Sequence, residues 1–152
     1  MSRLRFRNVD AAPTDPVETW PFEALLTAVE RGSLTDWRRV LSAVRRDPWG
    51  PVARDLEQAL LVSRPYGTAL LLERGLERAR LAGALAERQE VARRVRVAFE
   101  ASGLDRTAFA ERVGTSTSRL STYLTGRVAP SSTMLVRMER LAARPRGTPR
   151  DV

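Results

Sequence analysis

Apolar residues recur at helical spacing over most of this chain, and the breaks between the stripes are marked by glycine, proline and capping residues. The first stripe runs from Trp20 to Arg31, with Phe22, Leu25, Leu26 and Val29 at i, i+3, i+4 and i+7. Pro21 suits a first helical turn, and Gly32 supplies the stop. Ser33 opens a second helix, with Asp36 three residues on as a short capping-box variant. Its apolar face is Leu34, Trp37, Val40, Leu41 and Val44, and Asp47-Pro48 ends it behind Arg45 and Arg46, which suit a helix C-terminus. A third helix is expected over Val52 to Ser63, with Val52, Leu56, Ala59 and Leu60 inward, closed by the turn Arg64-Pro65-Tyr66-Gly67. Thr68 can cap a fourth. Its stripe of Leu72, Leu76, Ala79, Gly83 and Ala86 is followed by a second one, Val91, Val95, Ala98 and Phe99, that is out of step with it. This predicts either one long helix whose buried face rotates or a break near Gly83. Either way a domain junction falls between about 82 and 90.

The segment Gly103 to Pro130 has the most specific pattern. Gly103 ends the preceding helix, and Asp105 is placed to cap a short one with Phe109, Ala110 and Val113 inward. Gly114 permits a left-handed turn residue. Ser116 can cap the next helix, whose inner face is Leu120 and Tyr123, and Gly126 stops it. After Pro130, Ser131 or Ser132 starts another, with Leu135, Met138 and Leu141 inward. Two short helices joined by a three- to four-residue glycine turn are the basis of DNA-binding helix-turn-helix units. Ala110 is small where two helices must cross closely, and Leu120 plugs the angle between them. Thr117, Ser118, Arg119, Ser121 and Thr122 remain outside, and no carboxylate lies between Ser116 and Gly126. A surface that approaches phosphates is expected to lack acids in this way.

Composition narrows the chemistry further. The 152 residues contain no cysteine and no histidine. That removes disulfides, cysteine zinc sites, the Ser-His and Cys-His nucleophile pairs and the commonest metal ligand. No catalytic residue, metal site or cofactor is expected. The net charge is +8 and every basic residue is arginine, a bias that fits a GC-rich bacterial genome. Residues 1–86 hold 13 arginines against 11 acids, whereas residues 87–152 hold 13 against 7. The positive excess, which attracts polyanions, therefore lies with the glycine-turn segment. No apolar run approaches a membrane span and the N-terminus has no signal-peptide core, so a cytoplasmic, nucleoid-associated protein without a membrane partner is expected.

Gly103 to Leu141 resembles the Cro/C1-type (Xre-like) helix-turn-helix of phage repressors and bacterial regulators. The resemblance is carried by Ala110, Gly114 and Ser116, then Leu120, Tyr123, Gly126, Pro130 and Leu135. It implies a lambda-repressor-like domain of five helices, Glu87 to Ser102 being the first, with the third in the major groove of double-stranded DNA. By position it assigns base reading to Thr117, Ser118, Thr122 and Arg119. It assigns backbone contact to Arg106, Ser116, Thr125 and Arg127. Arg106 stands where the family often has a glutamine. The reading positions hold short hydroxyls in place of glutamines that pair with adenine, so direct readout is expected to be soft, with Arg119 and DNA shape supplying more of the selectivity.

The whole is expected to be all-α. A flexible basic arm (1–17) precedes a small N-terminal helical bundle (18–82). A long helix joins the bundle to the helix-turn-helix domain (83–143), and a disordered tail (144–152) follows. Trp20, Trp37 and Trp49 are expected to anchor the N-terminal core, or one of them to line a pocket. The N-terminal part is expected to dimerise the chain, or to bind a protein partner, making it an antitoxin-like or adaptor protein that also represses its operon. A neighbouring toxin-like reading frame would separate these. A nucleoid-style binder with little sequence choice is a third reading.

Overall fold

The computed structural model describes residues 4–145. Among them are seven α-helices, one short 3-10 turn at Val17–Thr19, and no strand. The helices are α1 (Phe22–Arg31), α2 (Leu34–Arg46), α3 (Pro51–Val62), α4 (Thr68–Ser102), α5 (Arg106–Val113), α6 (Thr117–Leu124) and α7 (Ser132–Ala142). The chain divides into two compact units, one up to Ala84 and one from Leu85 on.

In the N-terminal unit, α1 and α2 pack on α3, and the first half of α4 completes the core. Leu56 and Leu72 are fully enclosed there, each contributing about 1.5–3 kcal/mol by leaving water. The helix starts follow local chemistry. At Ser33 the Asp36 carboxylate accepts from the Ser33 backbone N–H at 2.8 Å and from its hydroxyl at 3.0 Å, so the buried carboxylate keeps hydrogen-bond partners. Pro51 stands at the first position of α3, where no amide is missed. Gly75 lies under Leu41, whose methyl carbon would be 2.5 Å from any added Cβ, which lets α2 and α4 approach closely.

One expectation for this unit is corrected. The segment read as a loose arm packs on the core from Leu4 onward. Leu4 is buried, and Phe6 meets Trp20 edge-on with ring centroids 5.1 Å apart. Arg39 lies over the Trp20 ring at 5.2 Å and donates to the carbonyls of Pro13 and Asp15 at 2.6 and 2.8 Å. The guanidinium thus ties down a proline-broken stretch with few backbone donors of its own. The core role expected of the tryptophans holds for Trp20, which is buried, and for Trp37, whose indole N–H donates to Ala28 O at 2.9 Å. Trp49 instead stands 51% exposed, with Arg80 over its ring at 5.2 Å, and lines an apolar groove, the other place expected for one of the three.

α4 is one helix of 35 residues that Gly83 does not interrupt. Its buried face rotates, from Ala69, Leu72, Leu76 and Ala79 to Ala92, Val95 and Ala98. The second set belongs to the C-terminal unit, whose core gathers Val95, Phe109, Leu120 and Met138 from α4, α5, α6 and α7. Among the described residues this unit holds four helices, one fewer than the resemblance implied. α7 ends at Ala142, and Pro145 disfavours helical backbone at the residue before it. Arg3 and the tail from residue 146 lie outside the described residues.

Candidate nucleic-acid interface

The turn between α5 and α6 is built by local rules. Asp105 accepts from the Ala108 N–H at 2.8 Å and starts α5. Gly114 ends it at φ +81°, with Thr115 N donating to Ala110 O at 2.9 Å and Gly114 N to Glu111 O at 3.1 Å. These are the two bonds of a Schellman cap, which needs the left-handed residue that glycine adopts without strain. Ser116 then starts α6 by accepting from the Arg119 N–H at 3.2 Å. Ala110 and Leu120 are both enclosed where the two helices meet, and Phe99 meets Phe109 edge-on at 5.3 Å beneath them.

At 3.6 residues per turn, the outer arc of α6 reads Thr117, Ser121, Ser118, Thr122, Arg119 in angular order. Leu120 and Tyr123 occupy the opposite, buried side. Thr117, Ser118 and Arg119 are exposed, and Ser121 and Thr122 are half-buried. The arc stands at the positive end of the α6 dipole. From Arg112 to Met138 there is no acidic residue, while Arg112, Arg119, Arg127 and Arg137 all fall in that interval.

The eight residues singled out from the sequence divide by geometry. Ser116, Thr117, Ser118, Arg119, Thr122 and Thr125 lie together on α6 and its caps, over about 13 Å of helix axis. Arg106 is exposed at the first position of α5, and Arg127 is exposed in the loop after α6. Three of the hydroxyls already have work within the helix. Ser116 caps it, Thr122 Oγ1 donates to Arg119 O at 2.7 Å, and Thr125 Oγ1 reaches Ser121 O and Thr122 O at 3.1 and 3.2 Å. Among the described residues no hydrogen bond engages the side chains of Thr117, Ser118 or Arg119.

Some contributors were not expected. Arg96 donates to Leu124 O at 2.9 Å and so holds the C-terminal end of α6 from α4. Arg94 grips Glu139 of α7 with two bonds of 2.7 and 2.9 Å. From spacing alone, Arg93, Arg94 and Arg96 are solvent-facing or paired with Glu90 and Glu100. All three are exposed, as expected, but only Arg93 pairs with Glu90, and its guanidinium holds that carboxyl below the ordinary carboxylate range. The partners of Arg94 and Arg96 lie 45 and 28 residues away, so no local signal announces them.

Residues 90–151 match the family model of a helix-turn-helix domain. The C-terminal part of the chain is a helix-turn-helix domain like that of the Cro/C1 type, a class of DNA-binding unit. No curated protein and no solved structure matches the chain. Among the described residues no helix is long and apolar enough to cross a membrane.

Proposed function

We propose that this chain is a sequence-specific DNA-binding transcriptional regulator, acting as a repressor and as a homodimer, in the cytoplasm on the nucleoid. It works by binding alone, with no catalytic step and no cofactor. The observation that carries this reading is the acid-free arc of Thr117, Ser118 and Arg119. The arc is exposed at a helix N-terminus and mounted on a helix-turn-helix scaffold. Arg106 and Arg127 flank it as backbone contacts, and the two-fold pairing of two such helices would set half-sites about 34 Å apart. Footprinting on the chain's own promoter tests the reading. A protected segment that random DNA at physiological salt does not compete away is the expected result. Equal affinity for both would sink sequence-specific regulation in favour of indiscriminate coating.

Two variants separate reading from anchoring. Thr117→Ala with Ser118→Ala is expected to narrow the preference between sites by about 1–3 kcal/mol per lost contact, with non-specific affinity kept. Arg127→Ala is expected to weaken binding to all sequences alike and to flatten the salt dependence by about one ion. Titrations of specific and random duplexes at several salt concentrations check both. A double variant that ranks sites as the parent does would remove Thr117 and Ser118 from base reading.

A further inference from the structure

The N-terminal unit has an apolar groove of about 490 Å3 between α3 and α4. Leu60 and Leu76 form its floor, while Trp49, Leu61 and Leu81 stand on its walls at 51%, 73% and 65% exposure. Apolar surface gathered in one place on a small unit marks an interaction site. The charges around the groove say what kind. α3 carries Glu57, Arg64 follows two residues beyond its last turn, and α4 carries Glu73 and then Arg80. Within the chain these pair across the groove. Arg80 reaches both Glu57 oxygens at 3.1 and 3.2 Å, and Arg64 reaches Glu73 at 2.6 Å. On α4 the acid precedes the base by seven positions, two turns, so both lie on one face about 10 Å apart, and the two ion pairs set Glu57 beside Arg80 at one end of the groove and Arg64 beside Glu73 at the other. The midpoints of the two intervals fall at Leu60-Leu61 and at Leu76-Glu77.

That pattern is self-complementary under a two-fold rotation. Turning the groove end for end brings the Glu57 end of one copy to the Arg64 end of the other along the α3 wall, and sets Glu73 opposite Arg80 along α4. A basic occupant would face Arg64 and Arg80 at opposite ends of the groove, and an acidic one would face Glu57 and Glu73. An occupant with both signs in reversed order avoids both clashes, and a second copy of this chain supplies it. We propose that this groove is the self-association face of the protein, with a second copy docked antiparallel about an axis through Leu60, Leu61 and Leu76. The proposal rests on the reading of the N-terminal unit as the part that pairs the chain, and it names the surface and its register.

The test exchanges charges without breaking a pair inside the chain. Arg64→Glu with Glu73→Arg keeps the attraction across the groove but sets like charges opposite each other between copies. Sedimentation equilibrium of the full chain, without DNA, is expected to show a dimer. In the double variant the dissociation constant should rise at least about tenfold, with helix content unchanged. Adding Glu57→Arg and Arg80→Glu restores the complementary order and should restore the dimer. Should the double variant lose helix content, Leu61→Asp at its exposed position is expected to dissociate the copies in its place. A monomeric parent, a double variant that pairs as the parent does, or a fourfold variant that stays apart would each overturn the proposal. Binding of a short random-sequence duplex at low salt is read on the same samples. Its loss in the parent would count against the DNA-binding reading while leaving the interface result standing.

Discussion

Replacing Phe109 by alanine is expected to unfold the C-terminal unit and abolish DNA binding while the N-terminal unit stays folded. Phe109 is fully enclosed among Val95, Leu120 and Met138, with Phe99 edge-on to its ring. Truncating such a side chain costs about 3–5 kcal/mol through lost transfer energy and the cavity left behind. A unit of this size has only roughly 3–9 kcal/mol of stability to lose. The two cores are distinct sets of residues, and the chain provides a way to watch them separately. All three tryptophans, at 20, 37 and 49, belong to the N-terminal unit. Tryptophan fluorescence should therefore keep the parental unfolding midpoint while helical circular dichroism falls. Val97→Ala, at a position 52% exposed on the same helix as Val95, should stay within about 0.5 kcal/mol of the parent. Fluorescence and dichroism that shift together in the Phe109 variant would show that the two units unfold as one, against this account.

The residues that could be read from the sequence are those whose partners are near in the chain. Asp105, Ser116 and Ser131 cap helices because an N-cap needs only an amide three residues on, and each finds it. Gly114 follows from the same kind of rule, since the turn it makes requires a positive φ. The continuous α4 was open from the sequence because its two stripes are out of phase. Gly83 weakens a helix by about 1 kcal/mol, too little to decide between a bend and a break. What stayed hidden needed distant partners. Leu4 and Phe6 look like a basic arm until Trp20 and Arg39 are beside them. Which of the three tryptophans leaves the core to line a groove is settled only by Arg80, far along the chain, standing over the Trp49 ring.

The recognition surface shows the same division. Its scaffold and exposed arc follow from short-range pattern. The brace from Arg96 to Leu124 O and the grip of Arg94 on Glu139 do not. Both act across elements, and both bear on how firmly α6 is presented. Pre-organisation of that kind lowers the ordering cost of binding when the reading side chains are short.

Reversing the charge of Arg119 is expected to have opposite effects on folding and on binding. Arg119 is exposed at the third position of α6, one turn from the Ser116 cap, and only its backbone N–H takes part in that cap. A glutamate there would complete a capping box with Ser116 and place a negative charge at the positive end of the helix dipole. Arg119→Glu is therefore expected to hold or raise the stability of the C-terminal unit, by about 0.3–1 kcal/mol at low salt. For DNA the same change removes an arginine contact worth roughly 1–3 kcal/mol and sets a carboxylate against phosphates in an interval that has none. Affinity should fall at least a hundredfold, about 3 kcal/mol, and the fall should shrink as salt rises. Arg119→Ala should lie between parent and reversal in binding, without the gain in stability. Thermal unfolding and duplex titration of the three proteins check this. Binding by the glutamate variant within a few-fold of the parent would mean that α6 does not approach the DNA backbone. A matching loss of stability and binding would mean that Arg119 supports the fold and not the interface.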